Sequence, residues 1–396
     1  MCLTLRNLKI LKFFASLEIK IKPYILNKNI YLFRWLFLKK IDYKLFFLSI
    51  VAGILGIIMI YSASNVWAEY KFNDPLKYVK HQALFFAIGI VIMILLSKFD
   101  YKKYYKYANK ILLVCFILLV LVLIPGIGKV RNGARSWFGI GSFGIQPSEF
   151  AKIGLIIFVS KYLANNDDSV KDIVKGILPI LSIIFLFFGL IMLEPDFGQG
   201  MVIVLTLIMI IFVSGAKVSF FVKCGILGLF GIIGLIIVAP YRLARIISFV
   251  NPWVDPLGSG FQIIQSLYAI GPGGLLGLGF GASIQKHFYL PEPQTDFIFS
   301  IISEEFGFLG VLVVTSIFLL LFYFSIRISM QAKNLFAKYL SFGLSFGILI
   351  QALLNLCVVV GLIPVTGVTL PFFSYGGSSL LVSFASIGII LNISKN

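Results

Sequence analysis

The chain has 396 residues, 59% hydrophobic and 13% charged, with a formal net charge of +18 and a mean hydropathy of +1.01. Soluble domains run near 45–50% apolar and about 25% charged, so the composition excludes an ordinary soluble protein. The positive charge is diluted among long apolar runs and confined to short loops, which speaks against a nucleic-acid partner and for membrane topology.

Residues 1–44 carry ten Lys/Arg that interrupt every apolar stretch. No continuous apolar core with a small-residue cleavage site appears, so this part reads as a basic, membrane-hugging cytoplasmic arm and not as a cleaved signal. From 45 to 395 ten apolar segments follow, at about 45–63, 82–97, 110–125, 148–163, 173–193, 198–214, 219–239, 298–326, 339–362 and 376–394. A crossing needs about 20 mostly apolar residues. The predicted fold class is an all-α polytopic membrane protein of ten transmembrane helices, with a large extracytoplasmic loop, 240–297, between the seventh and the eighth. The four cysteines and two histidines have neither metal-ligand nor disulfide-framework spacing.

Orientation follows from the placement of Lys and Arg. With the N-terminus inside, the inside segments hold 24 of them and the outside segments 10. Both termini are therefore expected in the cytoplasm. The inside loops are short, whereas the outside segments 126–149, 240–297 and 363–379 are long and rich in Gly, Pro and polar residues. The chemistry is expected at or above the outer leaflet.

Several outer residues have two readings. Asp296, where a polar loop enters the eighth helix, is either a helix cap or a general base at a low-dielectric boundary. Arg131, Arg135, Arg242 and Arg245 either snorkel to the interface or bind phosphate. Glu149 and Lys152 are an i,i+3 pair within an apolar segment, either a structural ion pair or part of a cavity. Glu194 and Asp196 flank Pro195 as exposed acids at a helix break, or as an acidic lining near Asp296 that could hold a divalent cation, Mg or Mn. No Asp-rich metal motif is present, and no other cofactor is expected. Glu304 and Glu305 read as buried acids paired with Lys or Arg of neighbouring helices. The glycines between 271 and 281 lack P-loop spacing and read as close backbone packing over a substrate, or as a flexible re-entrant loop. Gln351 and Asn355, i,i+4, read as an interhelical hydrogen bond.

Four ordered motifs carry a resemblance: NGARSWFGIGSFGIQPSEFAK at 132–152, EPDFGQG at 194–200, the segment from NPWVDPLGSGFQ through QSLYAIGPGG to YLPEPQTDFIF at 251–299, and GLIPVTGVTLPFFSYGGSS at 361–379. Over about 45–395 the chain resembles the SEDS family (shape, elongation, division and sporulation) of peptidoglycan glycosyltransferases, closer to its FtsW/SpoVE branch than to RodA. The resemblance implies that Asp296 is the essential acidic residue, acting as the general base that deprotonates the 4-hydroxyl of acceptor lipid II. That hydroxyl attacks the anomeric carbon of a lipid-linked glycan, and undecaprenyl pyrophosphate leaves. It implies a substrate-binding set of Arg135, Glu149, Lys152, Glu194, Asp196, Arg242, Arg245, Gln262, Gln265, Ser266, Pro291, Glu292, Thr295, Ser374, Gly376, Gly377 and Ser378. Implied partners are lipid II, a class B penicillin-binding protein transpeptidase, other division or sporulation membrane proteins, and membrane lipids. Two other readings stay open. A lipid II flippase should show inverted repeats and charges near the midplane, and the sequence shows no two-fold internal similarity and no matching gate chemistry on the cytoplasmic side; a non-enzymatic scaffold would not need Asp296.

Overall fold

The computed structural model describes residues 41–131, 133–140, 143–238 and 247–395. The basic arm up to residue 40, Arg242 and Arg245 lie outside the described residues, as does the side chain of Arg131. The rest is mostly helical. In chain order the elements are α1 Tyr43–Phe72, α2 Lys77–Lys98, α3 Tyr101–Leu123, β1 Lys129–Arg131, β2 Ala134–Ile140, β3 Phe143–Ile145, α4 Pro147–Asn165, α5 Leu178–Leu193, α6 Phe197–Val213, α7 Val218–Val238, α8 Phe261–Gly273, α9 Ile298–Gln331, α10 Leu335–Val359 and α11 Gly377–Ile393.

Each predicted apolar segment falls on one of these helices. Among the described residues, six are long and apolar enough to cross a membrane: Tyr43–Phe72, Lys77–Lys98, Tyr101–Leu123, Ile173–Leu193, Ile298–Gln331 and Leu335–Val359. Phe197–Val213 and Gly377–Ile393 are apolar but shorter. The chain is a multi-pass membrane protein. Local chemistry sets the helix ends. Asp42 opens α1 by accepting from the Lys44 and Leu45 amides at 3.0 and 3.1 Å, and Asn73, at φ 51°, closes it. The arm therefore gives way to helix at Tyr43, two residues before the predicted start.

Two stretches expected as extracytoplasmic loop contain regular structure. Residues 129–145 form an antiparallel sheet in the order β1-β2-β3. Its first turn brings Arg131 opposite Ala134, with Gly133 at φ 82°. Within 240–297, α8 packs against α9 and α10; the Ser266 hydroxyl meets Ser300 and the Val359 carbonyl, both at 2.7 Å.

α9 is broken at Gly307, which has φ 58° and ψ −153°. The segment after α8 fills the break. Leu278 and Gly279 donate backbone hydrogen bonds to the Glu304 and Glu305 carbonyls, and Phe308 and Leu309 donate to Gly274 and Leu275. A Cβ on Gly277 would stand 2.2 Å from the Glu305 carbonyl oxygen. The close packing predicted for these glycines is therefore made against the chain's own helix. Glu304 and Glu305 are fully buried beneath it. Glu304 is held by Ser283 and the Ile284 amide; Glu305 takes both bonds of the Ser62 hydroxyl and an ion pair with Lys286 at 3.4 Å. The cationic partner comes from the segment between α8 and α9 rather than from a neighbouring helix, and among the described residues only Glu305 has one.

Candidate active site

Asp296 ends the turn that leads into α9. The N-cap position is Phe297, and no side chain caps the helix there. The turn is fastened along its backbone to the non-helical stretch between α10 and α11. The Asp296 carbonyl accepts from Asn355 Nδ2 at 2.7 Å, the Thr295 carbonyl from Ser374 Oγ at 2.6 Å, and the Gln294 carbonyl from the Tyr375 amide at 2.8 Å. Asn355 Nδ2 also donates to the Val368 carbonyl at 2.8 Å, so one buried amide ties both stretches together. Gly367, at φ 73°, faces the carboxylate: a Cβ there would be 3.8 Å from Asp296 Oδ2.

The far side of the same stretch meets the charged pair of α4. Lys152 Nζ lies 2.8 Å from Glu149 Oε2 and 2.5 Å from Gln351 Oε1. Gln199 Nε2 donates to Glu149 Oε1. Gln351 Nε2 donates to the Thr369 carbonyl and to Ser379 Oγ, both at 3.2 Å. Asp196 caps α6 through the Gln199 amide at 3.2 Å and accepts from Gln146 Nε2 at 2.6 Å. The start of α6 touches the stretch directly, since a Cβ on Gly198 would be 2.4 Å from the Thr366 carbonyl oxygen. Residues 366–369 thus run between Asp296 on one side and the Glu149–Lys152–Asp196 network on the other. Non-helical backbone within a membrane protein must be buried in protein or line a cavity, and this stretch is stitched at both faces.

Glu194 is fully buried, and neither carboxyl oxygen has a hydrogen-bond partner. Burial, with the Asp196 charge adding to it, pushes its pKa up to about 9, so it is protonated at neutral pH. The half-buried Asp196 is raised to about 6 by burial; the Gln199 amide opposes this and Glu149 adds to it. Among the described residues no group of three His, Cys, Asp or Glu is placed to hold a metal ion.

The other expected residues scatter. Arg135 lies on β2, and its guanidinium caps the end of α3 through the Leu123 carbonyl at 3.4 Å. Ser266 is committed to helix packing, while Gln262 and Gln265 are half-buried on α8. Ser378 joins α11 to the sheet, accepting from the Gln146 amide and donating to the Gly144 carbonyl. Gly376 and Gly377 open α11; a Cβ on Gly377 would strike the Phe85 ring at 2.7 Å. Pro291, exposed Glu292 and Thr295 form the approach to Asp296, with Glu292 at φ 44°. Gln82, Gln146 and Gln199 are part of the framework and carried no signal of their own in the sequence.

Residues 43–396 match the FTSW_RODA_SPOVE family, described as cell cycle protein. Stage V sporulation protein E of Bacillus subtilis (strain 168) is 50% identical over 354 residues, 89% of this chain and 97% of the relative. The probable peptidoglycan glycosyltransferase FtsW of Geobacter sp. (strain M18) is 40% identical over 353 residues, covering 89% and 96%. Among solved structures, a chain from a peptidoglycan synthase complex that coordinates polymerization and crosslinking superposes with a TM-score of 0.71 at 29% identity, covering 89% of this chain and 97% of that one. The rod shape determining protein RodA of Thermus thermophilus gives 0.64 at 26% identity, covering 89% and 96%. The chain belongs to the FtsW/RodA/SpoVE family.

Proposed function

We propose that the protein is a peptidoglycan glycosyltransferase that polymerises lipid II on the outer face of the cytoplasmic membrane. The observation that carries this is the placement of Asp296, on a turn pinned by Asn355, Ser374 and Tyr375, with its carboxylate beside Gly367. Such fixing preorganises a base. Asp296 takes the proton from the acceptor 4-hydroxyl. The oxygen forms a bond to the donor's anomeric carbon, the bond from that carbon to the pyrophosphate breaks, and undecaprenyl pyrophosphate departs. Arg242 and Arg245 are assigned to the departing charge, with Glu292 and Thr295 on the approach. Glu149, Lys152 and Asp196 hold the back of the 366–369 stretch as a positioning network.

In this reading all ten helical segments cross the membrane, both termini are cytoplasmic, and 240–297 is extracytoplasmic. Residues 1–44 are a cytoplasmic arm and 45–395 the membrane domain. The partner is a class B penicillin-binding protein transpeptidase. The test is polymerisation of purified fluorescent lipid II by the purified full-length chain, with and without that partner. Glycan strands on a gel support the reading, and their absence in both conditions contradicts it.

A further inference from the structure

The outer end of α1 carries an aromatic group that the helix bundle does not require. At 1.5 Å per residue, the 30 residues of α1 run to about 45 Å, against about 30 Å of hydrocarbon. Its last turns therefore stand in the interfacial zone, and they hold Trp67 and Tyr70. The Phe288 ring sits against both, at centroid distances of 5.4 and 5.2 Å. Phe288 has φ 67°, a left-handed conformation that a bulky residue keeps only where its surroundings impose it. Tyr70 is 77% exposed and Phe288 50%. A second aromatic pair lies on the neighbouring elements, where Tyr78 packs edge-on against Tyr375 at 4.9 Å.

This group is joined to the Asp296 turn at two points. Phe288 lies eight residues before Asp296 on the same segment, and the Tyr375 amide donates to the Gln294 carbonyl. We propose that Trp67, Tyr70, Tyr78, Phe288 and Tyr375 form a sugar-binding subsite that holds a pyranose ring of the disaccharide-peptide beside Asp296. The inference rests on the glycosyltransferase reading for its ligand class. Pyranose rings present apolar C–H faces that pack on aromatic faces, while Tyr and Trp polar tips reach the hydroxyls. Lys71, 5.6 Å from the Trp67 ring centre, gives a cationic flank for the acidic groups of the peptide stem. An interfacial aromatic belt explains single amphipathic rings at this depth. It does not explain a left-handed Phe288 held between two rings of another helix, on the segment that ends at Asp296.

The experiment is titration of the full-length protein in nanodiscs with a fluorescent, lipid-free disaccharide-pentapeptide. Tyr70→Ala removes a ring whose exposure keeps it from mattering to the fold. Phe288→Gly removes the other while suiting the backbone. The double variant is expected to bind at least about fivefold more weakly, the scale of one aromatic contact, with an unchanged Tm. Tyr70→Trp is expected to bind as the parent does. In polymerisation the double variant raises KM and shortens the strands while kcat stays near the parent's. Equal binding by parent and double variant overturns the subsite, and so does weakening that Tyr70→Trp shares. Failure of the parent to make strands counts against the glycosyltransferase reading alone, because the binding titration needs no turnover.

Discussion

Glu194 shows how far a single residue can depart from its usual chemistry. In the unfolded chain its carboxyl ionises near 4.5, whereas the folded one keeps its proton to about 9. Between those values the unfolded state binds fewer protons, so stability falls as pH rises and levels off above about 9. Asp196 acts in the same direction over a narrower window, from its ordinary 3.8 to about 6. Glu194→Gln keeps the neutral shape without a group to ionise. Its Tm should match the wild type at pH 4 and exceed it by several degrees at pH 8; a lower Tm at pH 8 would show that the carboxylate form is the one the fold needs. Asn355 is the opposite case, a neutral residue that ties two carbonyls. Asn355→Leu leaves both without their donor, at about 1–3 kcal/mol each, so Tm and polymerisation rate should both fall, and an unchanged rate would remove it as a positioning residue. The sequence made the Glu149–Lys152 pair legible through its spacing. Gln146 and Gln199 were not, because a neutral amide in a long chain carries no charge or periodicity signal. The i,i+4 reading of Gln351 and Asn355 as interhelical holds for Gln351, which bonds Lys152 of α4 and Ser379 of α11, whereas Asn355 ties two non-helical stretches instead.

At the scale of elements, the broken helix α9 depends on glycines on both sides of the break. Gly277 and Gly279 both have positive φ, at 79° and 104°. An added Cβ at Gly277 would collide with the Glu305 carbonyl, while nothing lies within 4 Å at Gly279. Gly279→Ala should therefore cost only the left-handed backbone, about 1–2 kcal/mol, and Gly277→Ala clearly more. Thermal unfolding in detergent compares them, and equal losses would show that the packing against α9 is not tight. The ten apolar segments announced their helices through length and hydropathy. The sheet at 129–145 was missed although Asn132-Gly133 is a strong hairpin signal, because its short strands were read only as polar loop. α8 was missed because Pro272 and the glycines around it, which fall in the last turn of the 13-residue helix, outweighed the amphipathic run before them.

For the whole molecule, the Lys/Arg bias sets an orientation that labelling can check. In a background without the native cysteines, Lys103→Cys should react with an impermeant reagent only after the membrane is opened, and Lys286→Cys is unsuited as its counterpart because Lys286 is buried with Glu305. Tyr289→Cys, in an exposed position of the 240–297 segment, should react from outside intact cells; the reverse pattern would invert the topology. Composition made the membrane class legible. The joining of four distant motifs around residues 366–369 was not, since it depends on which helices pack together. That assembly exists, in this account, to hold one carboxylate where an acceptor hydroxyl can reach it. The most direct measurement is therefore made on purified Asp296→Asn, recording Tm and lipid II polymerisation on the same sample. The substitution keeps size and polarity, so Tm should stay at the wild-type value while strand formation falls at least about a hundredfold, within the range of general-base catalysis. Polymerisation above about a tenth of the wild-type rate, with Tm unchanged, would contradict the assignment of Asp296 as the base.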